Sequence, residues 1–365
     1  MQTQILSPSP RQIERAAEAL RQGQLVAIPT ETVYGLAGNG LDEAAVTQIF
    51  AVKERPRFNP LILHLAAGIP LETLQGWLLD LSAFTPVAQE RLATLTNTFW
   101  PGPLTLVLPK STLVPDLVSS GLPTVALRVP AHPVAQALLQ ALQMPLAAPS
   151  ANRFGRISPT SARAVYAELS GRIPYILDGG PCAVGVESTV LKLSPEGIPT
   201  LLRPGGIPLE TLEAHLGLRI RLPAESTGSS AHPRESPGQL SSHYAPSKPL
   251  LLLPRGIFQL QPADWQQIQS QSLGHARVGI LGFSREPEKL LQHLQPHFPA
   301  ATLHLEVLDP DPSLAASSLF ASLRRLDEGA ATLLLAEPPP LQQGLGHAMM
   351  DRLQRASRPW NPLPP

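Results

Sequence analysis

Lys53, Arg55 and Arg57 fall within five positions of "AVKERPRFNPLILH", after which the chain turns apolar. Ammonium and guanidinium groups at that density suit an anion with many oxygens, such as a polyphosphate. On a continuing helix Lys53 and Arg55 would not share a face. Pro56 disfavours helix at the residue before it, so the helix should end by about Arg55. Both cations are then expected at an exposed end, on an extended exit where alternate side chains converge. The plain alternative is a basic helix end that only complements the helix dipole. Other polar groups follow short apolar runs. Thr30, Glu31, Thr32 and Tyr34 come after a strand in "IPTETVYGLAG", and His64 closes "PLILH". Ser150 and Asn152 follow an apolar run in "APSANRFGRISPTSA", where Ser158 or Thr160 is the expected N-cap of a following helix. Ser188 and Thr189 open a strand in "GVESTVLKL", and Arg203 ends one in "LLRPGG". Strand ends are where open α/β sheets hold ligands; tight turns and caps are the competing explanation at each place.

This inventory is one of donors, and it fits orientation and electrostatic stabilisation better than acid–base chemistry. The chain has no GxxxxGK[ST] phosphate loop, no GxSxG elbow and no HExxH pair. Its single cysteine, Cys182, has no adjacent base and reads as structural. A disulfide within the chain is impossible, and no protein-held metal is expected. With 28 basic and 28 acidic residues the chain is not a nucleic-acid coat. Over residues 1–210 the two signs also balance, which weighs against a backbone-driven RNA binder. No secretory leader is visible, and no apolar run approaches the roughly 20 residues that cross a bilayer. The cytoplasm is the expected compartment, with no membrane partner.

The elements that must position these groups alternate. A helix over "SPRQIERAAEALRQ", with Ser9 as cap and Ile13, Ala16, Ala17 and Leu20 on the buried face, precedes the strand "LVAIPT". A helix capped near Asp42 leads to "PLILHLA". "LTLVLPK", "TVALRVP", "YILDGG", "STVLKL" and "PTLLRPG" read as further strands, several with no helix between them, which favours a mixed sheet. Residues 1–211 should form this first domain, and 212–248, rich in small, polar and proline residues, an interdomain linker. In residues 249–365 the strands "LLLPRG", "RVGILGF", "ATLHLEV" and "ATLLLAEPP" alternate with helices. The fold class is therefore α/β: a twisted mixed-sheet domain, a linker, and a smaller doubly wound domain.

Taken together, "PTETVYGL", "KERPRFNPLILH", "FWPGPLTLVL", "TVALRVPAHP", "APSANRFGRISPT", "GVESTV" and "LLRPG" resemble the threonylcarbamoyl-AMP synthase family. They stand in the family's order over most of residues 10–207. "SPGQLSSHYAP" and "GLGHAMMDRLQRAS" resemble its long, two-domain form. The resemblance implies an enzyme, a nucleotidyltransferase that joins L-threonine, bicarbonate and ATP into L-threonylcarbamoyladenylate, with release of pyrophosphate. It implies magnesium with the ATP, delivery of the product to the tRNA threonylcarbamoyl-transfer machinery for position 37, and contact with double-stranded RNA or tRNA. A non-catalytic double-stranded RNA-binding protein using the same cavity is the alternative.

By the same resemblance, Thr30, Thr32, Thr124 and Ser188 would hold threonine and its carbamate, with His64 beside them. Lys53 and Arg55 would hold phosphates. Tyr34, Arg128, Ser150, Asn152 and Arg203 would line the nucleotide site, and His243 and Tyr244 would fold over it as a lid. Lys53, Arg55 and His64 would take the catalytic roles. Family linkers resemble "SPGMKYKHYAP"; here Gln239, Leu240, Ser241 and Ser242 replace the basic and aromatic residues.

Overall fold

The computed structural model describes residues 1–222, 244–272 and 274–360. Two compact units divide the chain. The first holds Met1–Phe154 and the described residues from Ser158 to 222; the second holds Gly155–Ile157 and the described residues from Tyr244 onward.

The first unit is a mixed sheet of ten short strands. They are β1 (Gln4–Leu6), β2 (Val26–Ile28), β3 (Gly35–Asn39), β4 (Ile62–His64), β5 (Leu104–Pro109), β6 (Thr124–Arg128), β7 (Leu146–Ala147), β8 (Tyr175–Leu177), β9 (Thr189–Leu193) and β10 (Pro199–Arg203). Their order is β1-β8-β2-β3-β7-β4-β6-β5-β9-β10. β4 runs parallel to β6, while β5 lies antiparallel to β6 and parallel to β9. The central strands are apolar along nearly their whole length, as a sheet covered on both faces requires. Two apolar clusters cover it: Leu36, Ile49, Leu63, Leu106 and Leu127 belong to one, Ala16, Leu20, Val26, Ile28 and Leu139 to the other.

Helix Pro10–Arg21 buries Ala16, Ala17, Ala19 and Leu20; Ile13 is only partly buried, and Ser9 makes no capping bond with its side chain. Helix Glu43–Lys53 starts as expected, with the Asp42 carboxylate accepting the Ala44 N–H at 2.9 Å. It stops because Glu54 turns left-handed, at φ 56°. Two sequence expectations are corrected nearby. The cap of helix Ala162–Leu169 is Ser161, not Ser158 or Thr160; Ser158 instead bonds to a carboxylate described below. Helix Pro86–Phe99 has no counterpart in the sequence reading, since Thr94, Thr96 and Thr98 dilute its apolar period.

The second unit is a parallel sheet of β11 (Leu250–Leu252), β12 (Arg277–Phe283), β13 (Thr302–Leu308) and β14 (Leu333–Ala336), in the order β11-β14-β12-β13. Trp265 and Ile268 of helix Pro262–Ser272 and Leu290 and Leu294 of helix Pro287–Leu294 pack with Leu251, Val278, Ile280, Leu333 and Leu335. Gly279, on the other face of β12, lies against Leu326 of helix Pro312–Glu328. The first two crossovers thus pass over one face of the sheet and the third, which returns from β13 to β14, over the other, the doubly wound arrangement.

Candidate active site

The loop that leaves β2 is built by its own hydroxyls. Thr30 Oγ1 donates to the Val33 carbonyl at 2.6 Å and lies 2.9 Å from Thr32 Oγ1. Its proton is committed to that carbonyl, so Thr32 is the donor of the pair. Thr32 in turn accepts from Arg128 Nη1 at 2.9 Å, which fixes the direction of the whole relay. Arg128 also donates from Nη2 to Glu31 Oε1 at 2.6 Å and from Nε to the Gly102 carbonyl at 3.2 Å. Glu31 Oε2 accepts the Ala131 N–H at 3.0 Å. Burial pushes the Glu31 carboxyl up, but the Arg128 charge and these hydrogen bonds outweigh it and hold the group below the usual carboxylate range. Arg128 is therefore a brace for Thr32 and Glu31 with three of its donors turned inward.

β4 and β6 run in parallel register with His64 opposite Arg128, so both end at the same edge of the sheet. His64 is buried, and its Nδ1 lies 3.2 Å from the Ile62 carbonyl. Burial first, and the Arg128 charge second, depress its pKa to about 3. At neutral pH it is an uncharged ring.

Lys53 is the last residue of its helix and is 1% exposed, not the exposed end the sequence suggested. The left-handed turn at Glu54 separates it from Arg55, so the two do not ride a common extended exit. Its Nζ donates to the carbonyls of Ser150 and Asn152. Burial, with the Arg55 charge adding to it and Glu168 opposing, pushes the ammonium well below the usual lysine range. Arg55 donates to the carbonyls of Asn59 at 3.2 Å and Pro60 at 2.9 Å, shaping the "RFNP" turn. The Ser150–Asn152 loop that Lys53 grips is laced to the hydroxyl loop, since Ala151 N–H donates to the Tyr34 carbonyl at 2.8 Å and Ser150 bridges to Gly35. The Tyr34 ring is fully buried; its hydroxyl donates to the Gly180 carbonyl at 2.8 Å, and burial raises its pKa above that of an ordinary tyrosine.

The third part enters from β9. Ser188 Oγ lies 2.7 Å from Thr105 Oγ1, and Arg203 Nη2 donates to the Ser188 carbonyl at 2.9 Å and to its Oγ at 3.1 Å. Gly205 allows this turn to close: a Cβ there would come within 2.4 Å of the Glu187 carbonyl. Glu187 Oε1 accepts from Ser158 Oγ at 2.5 Å. Thr189 N–H donates to the Pro103 carbonyl at 2.9 Å, next to the Gly102 carbonyl that Arg128 holds, and Val184 N–H donates to the backbone carbonyl of Glu31 at 2.8 Å. Ser188, Arg128, Thr32, Tyr34, Ser150 and Lys53 are thus linked through hydrogen bonds and the short backbone steps between them.

Thr124 does not join them. It opens β6, four residues before Arg128 and opposite Pro109, so it stands about 13 Å down the strand from the cluster. Strand register thus separates it from the Arg128 cluster along β6. His243 lies outside the described residues. Tyr244 belongs to the second unit, where it is buried, stacks on Phe320 with ring centroids 5.7 Å apart and has the Arg352 guanidinium 5.2 Å over its ring.

Comparison with known proteins decides what this cluster belongs to. A family model described as "Telomere recombination", for Sua5, YciO and YrdC proteins, matches residues 18–205. A second, "Threonylcarbamoyl-AMP synthase, C-terminal domain", matches residues 207–358. The threonylcarbamoyl-AMP synthase of Pyrococcus abyssi is 40% identical, the match covering 94% of each chain. That of Bacillus subtilis is 40% identical over 97% of this chain and 95% of its own. The chain belongs to the threonylcarbamoyl-AMP synthase family. The crystal structure of P. abyssi Sua5 complexed with L-threonine superposes with a TM-score of 0.81 at 39% identity, covering 97% of this chain and 98% of that one.

Within this synthase-family chain, sequence reasoning named Glu31 without giving it a role and passed over Glu187. Glu31 stands inside the quoted "PTETVYG" and Glu187 inside "GVEST", each flanked by the hydroxyls that attracted attention. An acid amid buried hydroxyls beside a strand end was the available signal. Thr105 carried none. Cys182 is buried and burial pushes its thiol up to about 12, which agrees with the structural reading.

Proposed function

We propose that this protein condenses L-threonine, bicarbonate and ATP into L-threonylcarbamoyladenylate and pyrophosphate, supplying the tRNA threonylcarbamoyl-transfer machinery. The observation that carries this reading is the linkage of the Lys53 anion site to the Thr32–Arg128 and Ser188–Arg203 pairs in a chain of this family. Threonine's amine and bicarbonate give a carbamate and water. A carbamate oxygen then attacks the α-phosphorus, the bond to the bridging oxygen breaks, and pyrophosphate leaves.

The reactants are all rich in negative oxygen, so their approach costs electrostatic work. Lys53 and Arg55 offset it at the phosphates. A triphosphate beside Lys53 also favours its charged form, so ATP binding restores the proton that burial weakens. Ser188, held by Arg203, and Thr32, held by Arg128, orient the amino acid. Ser150 and Asn152 present the nucleotide side of the loop. His64, with its pKa at about 3, acts as a neutral hydrogen-bonding ring and is a poor general base at neutral pH.

Magnesium enters with ATP as part of the substrate. Among the described residues no group of three His, Cys, Asp or Glu side chains is placed to hold a metal ion, and Glu31 has both oxygens committed to Arg128 and Ala131. The ion would therefore be carried by the phosphates, whose charge it partly neutralises. Among the described residues no helix is long and apolar enough to cross a membrane.

The test is pyrophosphate release from MgATP by the purified full chain, with mass-spectrometric detection of the adenylate. Release should require both threonine and bicarbonate. Binding of double-stranded RNA without any threonine-dependent release would favour the non-catalytic alternative and end this one.

A further inference from the structure

The second unit carries a crevice of about 300 Å³ that the proposed reaction leaves unused. Its walls are the loop after β11, with Pro254, Arg255, Phe258 and Gln259, and the loop after β14, with Glu337 and Gln342. Both loops leave the carboxyl ends of parallel strands. β11 and β14 are neighbours, yet the chain departs from β11 into helix Pro262–Ser272 and from β14 into helix Leu345–Ala356. Open α/β sheets place ligands where neighbouring strands send their connections apart.

The decisive group is Glu337, which is 5% exposed and lines this crevice. Its Oε1 accepts the Ile257 N–H at 2.8 Å and its Oε2 accepts the Phe283 N–H at 2.7 Å. Neither bond brings a positive charge, and no cation forms an ion pair with it among the described residues. Burial accordingly raises its pKa. An isolated buried carboxylate is costly, and a ligand that brings a cation recovers part of that cost. A metal ion does not fit, because among the described residues no group of three His, Cys, Asp or Glu side chains is placed to hold one. Arg255, also in the lining, is about half exposed and pairs through Nε with Asp264 at 3.1 Å, and a guanidinium has further donors with which to meet a carboxylate. The Gln259 and Gln342 side-chain amides add neutral donors and acceptors.

We propose that this crevice binds a small zwitterion of amino-acid size, its ammonium on Glu337 and its carboxylate on Arg255. The site is complete within the second unit and stands whether or not the reaction assigned to the first unit is right. A carboxylate that served only to cap the two N–H groups would bind no such molecule.

The experiment is amide NMR of the full chain, following Gly256, Phe258, Gln259 and Gln342. The proteinogenic amino acids are added one at a time up to about 10 mM, a concentration that reveals even weak sites. Ethylamine and propionate are the single-charge controls. At least one amino acid should give saturable shifts at these amides, and each control should bind at least about tenfold more weakly. Glu337→Gln and Arg255→Gln should each weaken binding about tenfold or more. A response to threonine alone would assign the site to that molecule, and a response to another amino acid would assign it to a separate effector. The proposal fails if no amino acid gives a saturable shift, if propionate binds as well, or if both variants bind normally. Should Glu337→Gln not fold, Arg255→Gln decides, because its half-exposed side chain is removable without opening the core.

Discussion

Among the described residues each unit buries a charge without an ion-pair partner of opposite sign, Lys53 in the first and Glu337 in the second, and the two charges differ in sign. The Lys53 ammonium donates to the carbonyls of Ser150 and Asn152. Glu337 in the second has only the N–H groups of Ile257 and Phe283. Burial acts on both in the same sense, toward the neutral form, and so lowers the lysine's pKa and raises the glutamate's. Arg128 and Glu31 in the first unit are by contrast paired, 4% and 12% exposed and 2.6 Å apart. The contrast separates two uses of a buried charge. The paired ones hold neighbouring side chains in place, and the solitary ones are where an incoming ligand of opposite charge gains most.

The largest effect expected from this contrast falls on Lys53. Lys53→Met keeps the stem's apolar volume and removes only the ammonium. It should lower kcat/KM for ATP by about a hundredfold or more, the scale of losing a group that stabilises developing charge. Lys53→Ala would add a cavity and is the poorer probe. In the wild type, kcat/KM for ATP should fall as pH rises through the lysine's depressed pKa, while kcat, measured with the phosphates bound, should fall only at higher pH. A Lys53→Met enzyme with wild-type pyrophosphate release, or identical pH limits for the two constants, would overturn the role.

Breaking a paired charge should cost stability first and activity second. Glu31→Gln leaves Arg128 buried without its carboxylate, which costs about 3 kcal/mol, and frees Thr32 to turn. The KM for threonine should rise more than that for ATP. The pH dependence has a definite sign. The folded pKa of Glu31 lies below the ordinary 4.5, so its contribution is present above that pH and is lost as pH falls through the folded value. Urea denaturation below about pH 4.5 should therefore show a shallower acid limb in Glu31→Gln than in the wild type. An unchanged limb would mean that the pair contributes nothing to folding.

The paired site was partly legible in the sequence. Hydroxyls after apolar runs and cations before a proline marked Thr32, Ser188, Lys53 and Arg55, because strand ends and helix ends are local features. The braces were not legible. That Arg128 meets Thr32 and Glu31 depends on a parallel register between β4 and β6 and on a loop almost a hundred residues away in sequence. Thr124 shows the limit of a linear motif: it shares a quoted stretch with Arg128, yet the two stand at opposite ends of β6. The depth of Lys53 was misread for the same reason, since the loop that buries it arrives from Ser150. In the second unit the alternation of strands and helices gave the architecture, while Glu337 looked like the polar end of an apolar strand.

A smaller effect should come from His64, buried and neutral beside the paired site. Its folded pKa of about 3 is below the ordinary 6.5, so the unfolded chain binds a proton that the folded one refuses. Stability is therefore full above 6.5 and falls with pH below it, by roughly 1 kcal/mol per pH unit. Between about pH 5 and 6.5, where Glu31 stays ionised in both states, His64→Gln should flatten that slope. Unfolding free energies with the same slope in both proteins would place the proton uptake elsewhere.

The smallest effect, and the one that sharpens the comparison most, concerns Glu337 without ligand. Its folded pKa lies above the ordinary 4.5, so its contribution to stability is present below that pH and is lost as pH rises through the folded value. Glu337→Gln removes this loss and keeps one carbonyl oxygen to accept an N–H, at the cost of the other bond, about 1 kcal/mol. The variant should then be slightly less stable than the wild type near pH 4 and should draw level with it or pass it by pH 8. Thermal unfolding at the two pH values reads the crossing directly. A wild type that gains on the variant as pH rises would mean that Glu337 has a cation beside it after all. The opposition between a solitary lysine in one unit and a solitary carboxylate in the other would then collapse.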